Sequence, residues 1–328
     1  MPKASMRDVA KHANVSVATV SHVINETRFV AEDTRQRVLD SIQKLDYSPD
    51  ATARSFKTGR KNLIGFIVPD IANEYFSTII EEVESIIAKE NYKLIIANTK
   101  ETKSREIENV RVFTSGIVDG LIIASTMDNY EELEKYLPKG FPTVFVDRFL
   151  KDCPYDSIII STYSSIYQGV ETLIRDGHRR IGYINAKPEL STSSERFLAY
   201  KNAMNAYQLP IEEGFVRMGN CFGKNSMVHI DVLLKLGCTA IIAPNNVLAD
   251  DVLYYLNEKN IEIGKAIDII GFNDSDKFKY NLRNIHTVRQ PTIALGLAAG
   301  KQILDRIAKP DMPIRQIILQ STFEPRNS

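Results

Sequence analysis

At Asn62 the hydrophobic rhythm of the chain changes, and that change limits the fold more than any other feature of the sequence. Beyond it, apolar runs of strand length recur over 63–68, 94–97, 120–124, 143–146, 157–160, 181–184, 240–243 and 267–272. Helical stretches stand among them over 75–89, 103–114, 164–176, 194–207, 224–236, 248–258 and 292–308. Unbroken apolar strands that alternate with helices mean parallel sheets covered on both faces. There are too many units for one ordinary sheet, so the pattern predicts an α/β body of two lobes. Open sheets of this type bind ligands beyond the carboxyl ends of their strands, which makes a cleft between the lobes the expected pocket.

The residues before Asn62 read differently. Ser5 can cap a helix over 5–13, with Asp8 in the capping-box position, and Met6, Val9, Ala10 and Ala13 form its apolar face. Asn14-Val15 makes a tight turn. Ser16 then caps a second helix, 17–25, whose Val20, Val23 and Ile24 face inward. A third helix, about 32–45, buries Val38, Ile42 and Leu45. The whole chain is balanced, with 41 Lys and Arg against 41 Asp and Glu, yet 11 basic and 7 acidic residues precede Asn62. The basic end is therefore short and separable. Three short helices with a tight turn between the first two predict a helix-turn-helix unit. Val17, Ala18, Thr19, Ser21 and His22 are left on its outer face to meet DNA. A generic helical cap has the same pattern. Pro49 ends the bundle, and Asp50 can cap a further turn over 51–56 that is too short to hold without a partner. Phe56 lies there among Arg54, Lys57, Arg60 and Lys61. DNA or a second copy of the chain would order this turn; in an ordinary linker, Phe56 would pack on the next domain.

The residues that follow the strands are amides, hydroxyls, carboxylates, arginines and aromatics. They include Asp70, Asn73, Tyr75, Phe76, Ser125, Thr126, Asp147, Arg148, the run 187–196, Asn245, Asn246, Asn273 and Asp274. Such a set can line a site for a sugar or another small polar metabolite, although Asp and Asn also close turns at strand ends. No phosphate-binding glycine loop or nucleophile elbow occurs. The five histidines show no zinc spacing, and His178 in the turn 176–180 suits a capping role. No enzyme, cofactor or metal is expected. Cys153, Cys221 and Cys238 show no metal-ligand spacing and do not suggest a disulfide framework, which fits a reducing cytoplasm. No run approaches the ~20 apolar residues that cross a bilayer, so no membrane partner is expected. The first residues also lack the apolar core of a signal peptide.

The stretch 10–25, Ala-Lys-His-Ala-Asn-Val-Ser-Val-Ala-Thr-Val-Ser-His-Val-Ile-Asn, resembles the headpiece signature of the lactose-repressor family of bacterial regulators. Phe29-Val30-Ala31-Glu32, Tyr47-Ser48-Pro49 and Ala53-Arg54-Ser55 continue the likeness, which is greatest to purine-responsive members. Residues 66–76, 118–121, 176–178, 270–274, 290–291 and 295–296 extend it over nearly the whole chain. The resemblance implies an all-α helix-turn-helix headpiece (1–48), a hinge helix and linker (49–61) and an α/β two-lobed, periplasmic-binding-protein-like body with parallel sheets (62–328). Lobe one is expected over about 62–161 and 291–318, and lobe two over about 162–290 and 319–328.

The function implied is that of a DNA-binding transcriptional regulator, in the first place a repressor. A homodimer would bind a pseudo-palindromic double-stranded operator under the control of a small-molecule effector. The family's base readers fall on Val17, Ala18 and His22, while Thr19, Ser21 and Asn25 match backbone-contacting or supporting positions. Ala53, Arg54, Phe56 and Lys57 fall on the hinge, where Phe56 replaces the usual Leu as minor-groove wedge. Effector contacts are implied at Tyr75, Phe76, Asp147, Arg148, Thr192, Arg196, Phe222, Asn245 and Asn273. Leu190 stands where purine-responsive members carry Arg, so a sugar, sugar phosphate or sugar derivative is the expected effector. Two alternatives are a catabolite-control regulator whose corepressor is a phosphorylated phosphocarrier protein, and a sugar-binding protein without a DNA role.

Overall fold

A computed structural model describes residues 4–25, 28–48, 59–219, 226–272 and 285–326. The chain divides into two compact units, Met1–Lys61 and Asn62–Ser328.

The first unit holds α1 (Met6–Ala13), α2 (Val17–Asn25) and α3 (Glu32–Lys44). Ser5 closes a capping box with Asp8, and Asn14 ends α1 in the left-handed conformation, φ 54°. Both features follow from local chemistry: a short polar side chain accepts the orphan N–H groups at the start, and Asn tolerates positive φ at the end. Val9, Ala10, Ala13, Val20, Val23, Val38 and Tyr47 form the core, with Ile24, Ile42 and Leu45 packed against it half-buried. Ser41 is buried as well, a feature that apolar periodicity does not reveal. Its hydroxyl donates to the Arg37 carbonyl at 2.7 Å, and its oxygen lies 2.9 Å from Nδ1 of His12.

The second unit contains two six-stranded sheets. Lobe one is built from β1 (Leu63–Val68), α4 (Glu74–Ile87), β2 (Lys93–Asn98), α5 (Lys103–Thr114) and β3 (Gly120–Ile123). It continues with α6 (Glu131–Glu134), β4 (Thr143–Asp147) and β5 (Asp156–Ser161). Lobe two follows with α7 (Tyr163–Arg175), β6 (Ile181–Asn185), α8 (Ser191–Ala206), β7 (Val216–Met218) and α9 (Met227–Lys235). It continues with β8 (Ala240–Ile242), α10 (Asn246–Glu258), β9 (Asp268–Phe272) and β10 (His286–Arg289). The chain then returns to lobe one with α11 (Thr292–Ala308) and β11 (Gln316–Gln320), and ends in lobe two with β12 (Thr322–Glu324). The strand orders are β11-β5-β4-β3-β1-β2 and β12-β10-β9-β8-β6-β7. All pairings are parallel except β10 with β12. The chain thus passes between the sheets near Thr162, Gln290 and Ser321. Because β11 pairs with β5 through Gln320, residues 319 and 320 lie in the sheet of lobe one, two residues beyond the expected boundary.

Alternation within the strands explains their unbroken apolar character. Ile64, Phe66 and Val68 pack with α4 and α11, whereas Ile67, Leu121, Ile123 and Phe145 pack on the opposite face of the same sheet. Each such buried side chain contributes roughly 1.5–3 kcal/mol of hydrophobic stabilisation. Gly296 and Gly300 bring α11 close to α4: a Cβ on Gly296 would stand 2.6 Å from Cβ of Glu82 and 2.9 Å from the Ile79 carbonyl oxygen. Lobe two repeats the arrangement with Ile181, Tyr183, Ile242 and Ile270 on one face and Ile184, Ile241, Ala243 and Ile269 on the other.

Candidate functional site

In the first unit, burial of Val20 and Val23 turns the opposite face of α2 outward. Val17 is 42% exposed, Ala18 and Asn25 are exposed, and Thr19, Ser21 and His22 are half-buried. Ser16 Oγ accepts from the Thr19 amide at 3.0 Å and lies 2.8 Å from its hydroxyl. Asn25 Nδ2 donates to the Ser21 carbonyl at 2.8 Å and to its hydroxyl at 3.3 Å. Thr19, Ser21 and Asn25 thus brace the two ends of the helix, while Val17 and Ala18 expose methyl groups at its first turn. Methyl groups in the first turn and the His22 imidazole in the last turn are chemistry for base edges in a major groove, where thymine methyls and ring acceptors lie. Ala53, Arg54, Phe56 and Lys57 lie outside the described residues, as do Phe222 and Asn273.

In the second unit, a cavity lies at the carboxyl ends of the strands of both sheets. Tyr75, Phe76, Asp147, Arg148, Thr192, Arg196 and Asn245 all line it. Asn73 starts α4 by accepting from the Tyr75 amide at 3.0 Å, which places both aromatic rings on the first turn. The rings meet edge to face, 5.0 Å between centroids. Tyr75 Oη donates to Asp147 Oδ1 at 2.6 Å. Asp147 ends β4 with φ 69°, a left-handed conformation that costs a non-glycine residue roughly 1–2 kcal/mol. The turn presents its carboxylate and Arg148 side by side.

Arg148 donates to the Ser125 carbonyl at 2.8 Å, pairs with Glu101 through both terminal nitrogens, and holds Nε 3.5 Å from Asp147 Oδ2. Burial opposes its charge, but Glu101 and Asp147 keep its pKa above the ordinary arginine value. Behind it the fully buried Glu106 carboxyl accepts from Ser125 Oγ, the Thr126 amide and Thr126 Oγ1, each at 2.5 Å. Burial pushes the Glu106 pKa up against those hydrogen bonds and Arg148.

From lobe two, Arg196 donates to the Pro244 carbonyl at 2.7 Å, Gln290 Oε1 at 2.9 Å and Thr162 Oγ1 at 3.2 Å. Its guanidinium lies 4.4 Å from the ring centroid of Phe272. Glu195, the neighbour that could have paired with it, instead accepts from Ser161 and Thr162. Asn245 caps α10, its Oδ1 accepting from the Leu248 amide at 2.8 Å. Contacts join the lobes around the cavity. Asn246 Nδ2 donates to Asn73 Oδ1 at 2.6 Å, and the Phe149 amide donates to Ser191 Oγ at 2.9 Å.

Glu101 and Gln290 also line the cavity, although neither is expected there from the sequence. Glu101 sits in the turn after β2, and Gln290 follows β10, a strand with no apolar run to reveal it. His178 is not part of the cavity. Its Nδ1 lies 2.9 Å from Thr239 Oγ1 and its Nε2 2.9 Å from Asp268 Oδ2, tying the turn after α7 to the starts of β8 and β9. Asp176, Asp268 and His286 gather nearby, but Arg326 already pairs with Asp268 and fastens the end of the chain there.

The lacI family of bacterial regulatory proteins matches residues 5–50, and a periplasmic binding protein-like domain matches residues 170–328. Along its length the chain is 31% identical to the HTH-type transcriptional repressor PurR of Vibrio atlanticus, covering 99% of this chain and 100% of that protein. The chain belongs to the lacI family. This family member is a sequence-specific DNA-binding transcriptional regulator and not an enzyme. It is 30% identical to the regulator RegA of Clostridium saccharobutylicum, over 99% of this chain and 98% of RegA. The lac repressor dimer bound to operator and the anti-inducer ONPF shares its fold, with a TM-score of 0.84 at 21% identity over 99% of this chain and 98% of that one. A lacI-family regulator from Enterococcus faecium with bound ribose superposes with a TM-score of 0.71 at 28% identity, covering 81% of this chain and 98% of that one. Among the described residues no helix is long and apolar enough to cross a membrane.

Proposed function

We propose that this regulator is a homodimeric repressor whose affinity for a pseudo-palindromic operator is set by a sugar or sugar derivative held between the lobes. The observation that carries the reading is the cavity wall. An edge-to-face aromatic pair, the Asp147-Arg148 turn and Glu101 come from lobe one, and Thr192, Arg196, Asn245 and Gln290 from lobe two. Ring faces cover the apolar side of a pyranose or furanose, while carboxylates, amides and guanidinium groups accept from and donate to its hydroxyls. Leu190 is buried in the same wall, which gives a purine base no charged partner at that position. The ribose bound by the E. faecium relative supports the same class.

A ligand that touches both lobes has differential affinity for their relative orientations, which is what coupling to DNA requires. In this reading Val17, Ala18 and His22 meet base edges, and Thr19, Ser21 and Asn25 meet the phosphate backbone or support the reader helix. Ala53, Arg54, Phe56 and Lys57 form a hinge helix that orders on the minor groove, with Phe56 as the wedge. Phe222 and Asn273 complete the effector site. Calorimetric titration of the full-length protein with a panel of pentoses, hexoses and disaccharides, beside hypoxanthine and guanine, tests the effector class. Saturable binding of a purine and of no sugar would overturn it.

A further inference from the structure

The turn after β2 places a carboxylate where the pocket would otherwise offer two cations. Lys100 and Glu101 both have left-handed backbone, φ 51° and 53°, a conformation unfavourable to any residue with a Cβ. Hydrogen bonds hold it: the Lys100 amide donates to Asn98 Oδ1 at 3.3 Å, Thr102 Oγ1 to the Lys100 carbonyl at 3.1 Å, and the Thr102 amide to the Thr99 carbonyl at 3.1 Å. Lys100 Nζ is drawn away to Asp70, 2.8 Å distant. The turn thus directs the Glu101 side chain, 10% exposed, against the Arg148 guanidinium. Lys187 reaches the same group from lobe two, with Nζ 3.7 Å from Glu101 Oε2 and 3.3 Å from its carbonyl oxygen.

Among the described residues the cavity wall carries three cations, Arg148, Lys187 and Arg196. Arg196 is directed onto Pro244, Gln290 and Thr162. Glu101 engages the other two, and Asp147 and the buried Glu106 stand beside and behind Arg148. An anion entering here would have to replace Glu101 on Arg148 while facing the remaining carboxylates, and like charges brought together in a buried site repel strongly.

We propose that Glu101 sets the charge class of the effector. By neutralising Arg148 and Lys187 it makes the site one for uncharged polyhydroxylated molecules and excludes their phosphorylated or carboxylated counterparts. This inference rests on the sugar reading above and narrows it. Without the carboxylate, Arg148 and Lys187 would face each other across the cleft as a two-point anion site.

The test uses inorganic phosphate as probe, titrated into the full-length protein by calorimetry at constant ionic strength. Wild type should show no saturable binding at millimolar phosphate. Glu101→Gln should bind phosphate at least about tenfold more tightly, because two cations lose their shared partner. Adding Arg148→Met to that variant should abolish the gain. Glu101→Ala is the second variant, and circular dichroism checks that each is folded. Saturable phosphate binding by wild type would overturn the proposal whatever the variants do. So would folded Gln and Ala variants that both fail to bind phosphate. A neutral-sugar panel on wild type separates the two readings: a phosphate gain in Glu101→Gln with no sugar bound by wild type supports the charge assignment and counts against the sugar reading alone.

Discussion

Replacing Arg196 with Met tests the inner wall of lobe two. The wild-type guanidinium makes three hydrogen bonds, to Pro244, Gln290 and Thr162, and lies over Phe272. Met keeps most of the volume of the stem and removes every donor. A hydrogen bond from a charged donor is worth about 1.5–3 kcal/mol and a cation–π contact about 0.5–2 kcal/mol, but partners in one network do not add. The three acceptors are neutral and lose their donor together; at about 1–3 kcal/mol for each that stays buried and unpaired, and with losses in one network not additive, the total is roughly 3–5 kcal/mol. For a body of this length each kcal/mol lowers Tm by about 2 °C, so Arg196→Met should lower the Tm of the body by roughly 6–10 °C. Arg196→Lys keeps a charge that reaches one acceptor at a time and should fall between the two. The assay is a thermal melt of the full-length protein, with sugar titrated by calorimetry into the folded variants at low temperature. A Tm loss below about 2 °C for the Met variant would refute the argument that these bonds hold the wall. A normal melt with lost sugar binding would assign Arg196 to the ligand alone.

Three other outcomes are expected. His22→Arg should re-rank half-site variants in a binding-site selection, since a base contact carries about 1–3 kcal/mol of discrimination; an equal loss on every sequence would mean a phosphate contact only. Phe56→Ala should weaken specific operator binding and leave salt-sensitive binding to random DNA nearly intact, with Phe56→Leu preserving the specific mode; full DNA bending by the Ala variant, read by fluorescence transfer between duplex ends, would exclude the wedge. Burial, with the neighbouring carboxylates of Asp251 and Glu74, raises the partly exposed Asp250 from 3.8 to about 6. Because folding raises this pKa, the folded body holds the proton to higher pH than the unfolded chain, and its stability falls as pH climbs from about 4 to about 6. Asp250→Asn should remove that slope from Tm measured against pH, and an unchanged slope would contradict the assignment.

Strands buried on both faces were legible in the sequence because each presents an unbroken apolar run. The strands that escaped have physical reasons. β7 and β11 lie at sheet edges, and β11 alternates between exposed and half-buried residues. The short β12 pairs antiparallel at the other edge, and His286-Thr287-Val288-Arg289 in β10 carries few apolar side chains. α8 begins at Ser191, three residues before the helical pattern of the sequence. Ser191 to Ser194 are weak helix formers, yet they form its first turn, with Ser191 accepting from the Phe149 amide and Thr192 and Ser193 facing the cavity. Local preference gives way there because tertiary contacts recruit the hydroxyls. Residues that line the cavity from strand ends, such as Tyr75, Asp147, Arg148 and Asn245, are legible as candidates in the sequence. Glu101 is not, since its place depends on two consecutive left-handed residues that no sequence pattern marks.

The most direct test of the account measures operator affinity and sugar response together. Full-length protein would first select its binding site from random duplexes, and the selected duplex would then be titrated by fluorescence anisotropy with and without each sugar of the panel. The account predicts an enriched pseudo-palindrome and an uncharged sugar that changes its affinity by about 5–150-fold, the usual range of allosteric coupling. Enrichment of a palindrome whose affinity no uncharged sugar alters, but which a purine or a phosphorylated phosphocarrier protein does alter, would contradict it.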